Sequence, residues 1–374
     1  MYLNLFIGIF FGLLGSALIW GELARVVWIQ RWIEIMIVLG LIGFIRRPQS
    51  IKLNFKLLWL ISSFVLTAIL ASLLGVDLPK SVWGNYWRRD GLVSLLHYFG
   101  LVLVLVLNWK QNWKQLLMTS LAGANVWVSL TVLWLWFKLN VLQLAAANWS
   151  GIIGAGFVQP VFLAGWLAVT LPALVYKRWY WAIFPATLAI LQTRSWGGLL
   201  TVGLFFLGWR LIAKKKIKIL ITAVLLIYIL LGAALAVKTK YYIESGRWVL
   251  TAEARERIMV KGIWGWIKRP ILGWGWANFD YAFKAVDWPE AYLVDVYADK
   301  AHSSFLEVLV TSGIIGFGLY IAVIVTVLKK LEGNYLLMFL MWLVHSQTNV
   351  FSSAEELLFW LILTVVIAKS KYKL

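Results

Sequence analysis

Ala301-His302-Ser303-Ser304-Phe305-Leu306-Glu307 marks the point where a long polar interval gives way to an apolar run that continues to residue 328. The interval opens with Glu244-Ser245-Gly246-Arg247-Trp248 and is the only long polar stretch in the chain. Between Lys238 and His302 lie ten of the thirty-five Lys and Arg residues and eight of the sixteen Asp and Glu residues, so chemistry needing several ionisable groups finds them here. The remainder is built for lipid. With 62% hydrophobic residues, 14% charged residues and a mean hydropathy of +0.83, the chain falls among polytopic membrane proteins and outside the range of soluble domains.

A helix crossing the hydrocarbon needs about 20 mostly apolar residues. Runs of this kind fall at 3–19, 27–45, 57–75, 91–107, 115–137, 156–175, 181–193, 196–213, 217–237, 304–328, 334–350 and 355–368. They predict an all-α polytopic membrane protein: a single membrane domain over residues 1–374 with twelve transmembrane helices and one large extracytoplasmic loop, 238–302. The seventh run contains Pro185 and the twelfth opens on Glu355-Glu356, which makes these two the candidates for re-entrant segments. Met1 to Trp20 lacks a basic leader and reads as a retained first span. Within the loop, Arg247 to Lys268 mixes Trp, Ile and Val with Arg and Glu, which suits a helix lying along the membrane surface until Pro270 ends it.

Cytoplasmic connections carry the excess of Lys and Arg. With the N-terminus inside, the short inner connections hold eighteen such residues and the outer ones seven, so both termini are expected in the cytoplasm and the long loop outside. The net charge of +19 is dispersed in short clusters between apolar runs, which suits anionic lipid headgroups rather than nucleic acid. The absence of cysteine excludes thiol catalysis and disulfides.

His302 stands two residues before an apolar helix, and an imidazole there can take a proton near neutral pH, as deprotonating a hydroxyl requires. Arg247 and Arg194 are both expected near the outer interface, where a guanidinium either snorkels to headgroups or grips phosphate oxygens. Arg88 and Arg89, in Trp83-Gly84-Asn85-Tyr86-Trp87-Arg88-Arg89-Asp90, share that face and are candidates for substrate binding, as is Glu307, which could also orient His302. Asp295, Asp299 and His302 are spaced four and three, so on one helix they would share a face and could hold a divalent cation. His97 and His345 have no evident partner and read as packing residues.

Three segments carry a resemblance. They are Ser245-Gly246-Arg247-Trp248; Arg269-Pro270-Ile271-Leu272-Gly273-Trp274-Gly275 with Asn278-Phe279; and Ala301 to Glu307 followed by Gly313 and Gly316. In order and spacing this resembles the O-antigen ligase and polymerase superfamily of bacterial membrane enzymes, with Ser303 where the family often has Asn. The resemblance implies an inverting, metal-independent glycosyltransferase of the bacterial inner membrane, with no cofactor. Its donor would be an undecaprenyl-pyrophosphate-linked glycan and its acceptor a lipid or a protein. By the same analogy His302 is the general base, and Arg247 and Arg194 hold the pyrophosphate. A polymerase that joins repeat units on the lipid carrier would use the same groups. A flippase for an anionic lipid is the reading from another class, and it predicts broken helices and paired repeats.

Overall fold

The computed structural model describes residues 2–19, 21–46, 52–110, 112–142, 159–214, 216, 218–224, 226–227, 229–230, 233, 255–287, 298–350 and 352–369. A helix stands over every predicted span except the ninth, which falls partly outside these residues. Five helices have the length and hydropathy of a membrane crossing: α2 (Glu22–Arg46), α3 (Phe55–Leu73), α6 (Trp113–Asn140), α9 (Trp196–Ala213) and α12 (Ser304–Leu328). Shorter apolar helices pack among them, namely α1 (Tyr2–Leu18), α5 (Leu92–Leu107), α7 (Pro160–Tyr176) and α8 (Ile183–Gln192). Pro185 falls in the first turn of α8, where its missing N–H breaks no helical bond.

The two C-terminal helices, α13 (Gly333–Ser346) and α14 (Ser353–Ile367), are apolar on all sides and buried on all sides, as that pattern requires. Trp342 of α13 stacks on Phe359 of α14, with ring centroids 4.4 Å apart. The Glu355 that makes this segment look unlike a span completes a capping box with Ser352 and also faces His345 Nδ1 at 2.7 Å, both side chains being buried. A side chain at Gly165 of α7 would fill the space of that pair. His345 is therefore a partnered residue and not simple packing. His97 is corrected likewise, since its Nε2 lies 3.1 Å from Glu34. At the far end of α14, β2 (Ala368–Lys369) pairs antiparallel with β1 (Lys52–Leu53), which leads into α3.

The described part of the long loop holds two helices, α10 (Arg255–Lys268) and α11 (Phe279–Lys284). Ile258 of α10 packs against Phe279 and Phe283, and Ile263, Trp264 and Ile267 point outward. The pair docks on α4 (Leu78–Trp83), the short helix between α3 and α5. Asn278 Nδ2 donates to Ser81 Oγ at 3.0 Å, and Tyr281 OH donates to Asp77, the N-cap of α4, at 2.7 Å. That bond raises the Tyr281 hydroxyl pKa to about 12.

The loop also repairs a break in α12. Gly313 has φ 64° and ψ −170°, outside helical space, and interrupts the helix nine residues in from its start at Ser304. The segment Arg269–Gly275 lies in the gap. Trp274 N and Gly275 N donate to the freed carbonyls of Val310 and Thr311, both at 3.0 Å, and Ile314 N donates to Pro270 O at 2.8 Å. Non-helical backbone at membrane depth needs such partners. The approach is so close that a Cβ on Gly313 would lie 2.1 Å from Ile271 O, and one on Gly273 2.4 Å from Val310 O.

Candidate functional site

His302 is the residue before the N-cap of α12, and Ser303 caps that helix by accepting from Leu306 N at 3.4 Å. The histidine has a φ of 55°, a left-handed backbone that costs a non-glycine residue about 1–3 kcal/mol unless its surroundings impose it. They do so from both sides.

On the N-terminal side, Arg88 Nε donates to Asp299 Oδ2 at 2.8 Å. Lys300 Nζ bonds Asp90 and also reaches Glu307 Oε1 at 3.1 Å. Glu307 reaches back with its other oxygen to accept from Ala301 N at 2.8 Å. Asp90 in turn accepts from Asn85 N at 3.0 Å, which fixes the connection between α4 and α5. On the C-terminal side, Ser303 Oγ donates to Gln347 Oε1 at 2.7 Å, and Gln347 Nε2 donates to Ser304 Oγ. Three connections distant in sequence thus meet at one histidine.

The charges reinforce each other. Burial works against the Arg88 guanidinium, but Asp299, with Asp90 and Glu22 behind it, more than offsets that and holds its pKa above the usual value. For Lys300 burial is again the largest single effect and again loses, here to Asp90 and Glu307, so the ammonium is held well above the ordinary lysine range. Burial would raise the Asp90 carboxyl, yet Lys300 and Arg88 keep it below its usual pKa.

His302 borders a cavity of about 110 Å³. Arg88, Lys300 and Glu307 form part of its wall, and so do Glu22, Glu356 and Ser353. Arg89 is exposed, has a φ of 47°, and is not on that wall. Arg194 is also exposed, with φ 51°, in the turn between α8 and α9. It is not itself on the wall, but Gly197 three residues later abuts Asn349, which is. Arg247 and Asp295 lie outside the described residues. Asp299 and His302 are not helical and Asp299 is taken by Arg88, so the shared helical face required for the proposed cation set does not form.

Residues 179–321 match the O-antigen ligase family model. No curated protein matches the chain. The O-antigen ligase match starts before α8 and ends inside α12, so it takes in Arg194, the docked loop helices, His302, Glu307 and the repaired break. Arg88, Asp90 and Glu356 line the cavity from outside that match, and Gln347, also outside it, bonds Ser303. The match places the resemblance among membrane glycosyltransferases of the O-antigen ligase or polymerase kind.

Sequence reasoning did not single out Asp90, Lys300, Gln347 or Glu356. Lys300 carried one signal, a lysine two residues from the candidate base and seven from an acid, and Asp90 ended a stretch already noted for its arginines.

Proposed function

We propose that the chain transfers an oligo- or polysaccharide from undecaprenyl pyrophosphate to an acceptor hydroxyl at the outer face of the bacterial cytoplasmic membrane. The observation that carries this reading is His302, which lines a cavity and lies within the matched segment. His302 takes the proton from the acceptor hydroxyl as its oxygen attacks the anomeric carbon. The bond from that carbon to the pyrophosphate oxygen breaks, and the electron pair leaves with the pyrophosphate. Attack opposite the leaving group inverts the anomeric centre. Arg194 and Arg247 stabilise the charge that develops on the leaving oxygens, for which the guanidinium fork is well shaped. Arg88 and Glu307, expected from the sequence as substrate contacts, support the reading better by fixing the backbone on the N-terminal side of His302.

The flippase reading gains one of its expected features, a broken helix, but here the freed carbonyls are capped by the loop backbone and line no path. The test is an assay of purified protein with a lipid-pyrophosphate glycan and candidate acceptors. His302→Ala should lose product by about 10²–10⁴-fold, the usual worth of a general base, while remaining folded in detergent. Unchanged turnover would remove His302 from the chemistry. Arg194→Lys should be impaired as well, because an ammonium does not replace the fork. Product length separates ligation, which leaves the chain as it was, from polymerisation, which extends it.

A further inference from the structure

The charges around the cavity do not suit an anion. Arg88 is paired through its Nε with Asp299, and one ammonium, Lys300, serves both Asp90 and Glu307. On the same wall, Glu22 is paired with Arg25 and accepts from Ser353 N at 2.8 Å. Glu356, also on the wall, makes no salt bridge among the described residues and is bonded only through the Trp360 side chain and its own helix. Carboxylates therefore outnumber cations on this wall. A pyrophosphate placed among them would meet net repulsion at low local dielectric.

Other groups on the wall suit a different ligand. Ser353 Oγ is buried, with the residue 8% exposed, and has no hydrogen-bond partner. A buried hydroxyl left so is costly until something pairs with it. Trp276, Tyr98 and Trp360 add aromatic surface to the same wall. A pyranose offers C–H faces for such rings and hydroxyls for Glu356 and Ser353, and Glu356 bonds a hydroxyl whether it carries its own proton or not.

We propose that this cavity seats an uncharged, hydroxyl-bearing sugar, the reacting end of the acceptor, and that the donor's pyrophosphate binds outside it. Naming the sugar the acceptor rests on the transferase reading above. The preference of the cavity for an uncharged sugar over an anion does not.

Because the chain has no cysteine, the electrostatics of the cavity can be measured directly. Ser353→Cys and, separately, Ser303→Cys each place one thiol on the wall. Each is treated with a trimethylammonium-bearing and a sulfonate-bearing ethyl methanethiosulfonate, and the rates are normalised to a free thiol. The cationic reagent should react about tenfold faster or more, and adding Glu356→Gln should narrow that ratio. Methyl hexosides should slow the modification, and inorganic pyrophosphate should leave it unchanged. Equal rates, or a faster anionic reagent, would overturn the proposal, as would protection by pyrophosphate or by neither compound. Failure of both thiols to react would show a cavity closed to small molecules and overturn it too. If sugar protection holds while every transfer assay stays silent, the proposed reaction fails and the sugar seat stands.

Discussion

Lys300 places one ammonium between two carboxylates, Asp90 and Glu307, within two residues of His302. Removing a partner from a buried ionic network leaves charge uncompensated and costs about 3–5 kcal/mol. Lys300→Met should therefore lower the thermal midpoint in detergent sharply and abolish transfer, although Lys300 forms no step of the reaction. The titration of the same network has a definite sign. Asp90 is depressed, so its contribution is present above the ordinary aspartate value of about 3.9 and is lost only as pH falls through its lower folded value. Lys300 is raised, so its contribution is full below about 10.4 and is lost only as pH rises through its higher folded value. These two contributions stay intact between about pH 5 and 9, so unfolding midpoints should change little there through them. Transfer should nonetheless be lost in acid, because a protonated His302 can take no proton from the acceptor hydroxyl. At this scale the sequence revealed His302 and Glu307 by their place before an apolar helix. Asp90 and Gln347 were illegible because their partners come from connections 210 and 44 positions away in the chain.

Among the elements, α12 was read as one apolar run, 304–328, and its break left no mark in hydropathy because a glycine inside an apolar helix looks tolerable. What decides the conformation of Gly313 lies about forty positions upstream, where Arg269–Gly275 supplies the missing bonds. Gly313→Ala should destabilise by more than about 3 kcal/mol, combining left-handed backbone strain with a clash against Ile271 O. Gly318→Ala, five residues on, meets nothing within 4 Å and has helical geometry, so it should be neutral or stabilise by up to about 1 kcal/mol. Unfolding of the two variants side by side in detergent checks this. Ser352 and Glu355 stand at the spacing of a capping box, a signal in the sequence that starts α14 two residues before its acids rather than at them.

For the whole molecule, the positions of the helices were legible in hydropathy, and the side chains that join them were not. The charge count assigns Lys52 and Lys369 to the cytoplasmic side, and the strands pair those two residues directly. Arg88, Arg194 and His302, assigned to the opposite side, belong to connections gathered around one cavity or abutting it. A fluorescent protein fused after residue 374 should therefore glow, and alkaline phosphatase fused there should stay inactive. An active phosphatase would invert the proposed orientation. The repaired break in α12 also bears on how this chain can be recombined with relatives. Its loop and its helix each carry half of one backbone pairing, so neither is a portable module. A chimera that exchanges 269–275 without 310–315 should misfold wherever the borrowed turn differs in length, whereas moving both together should preserve the joint.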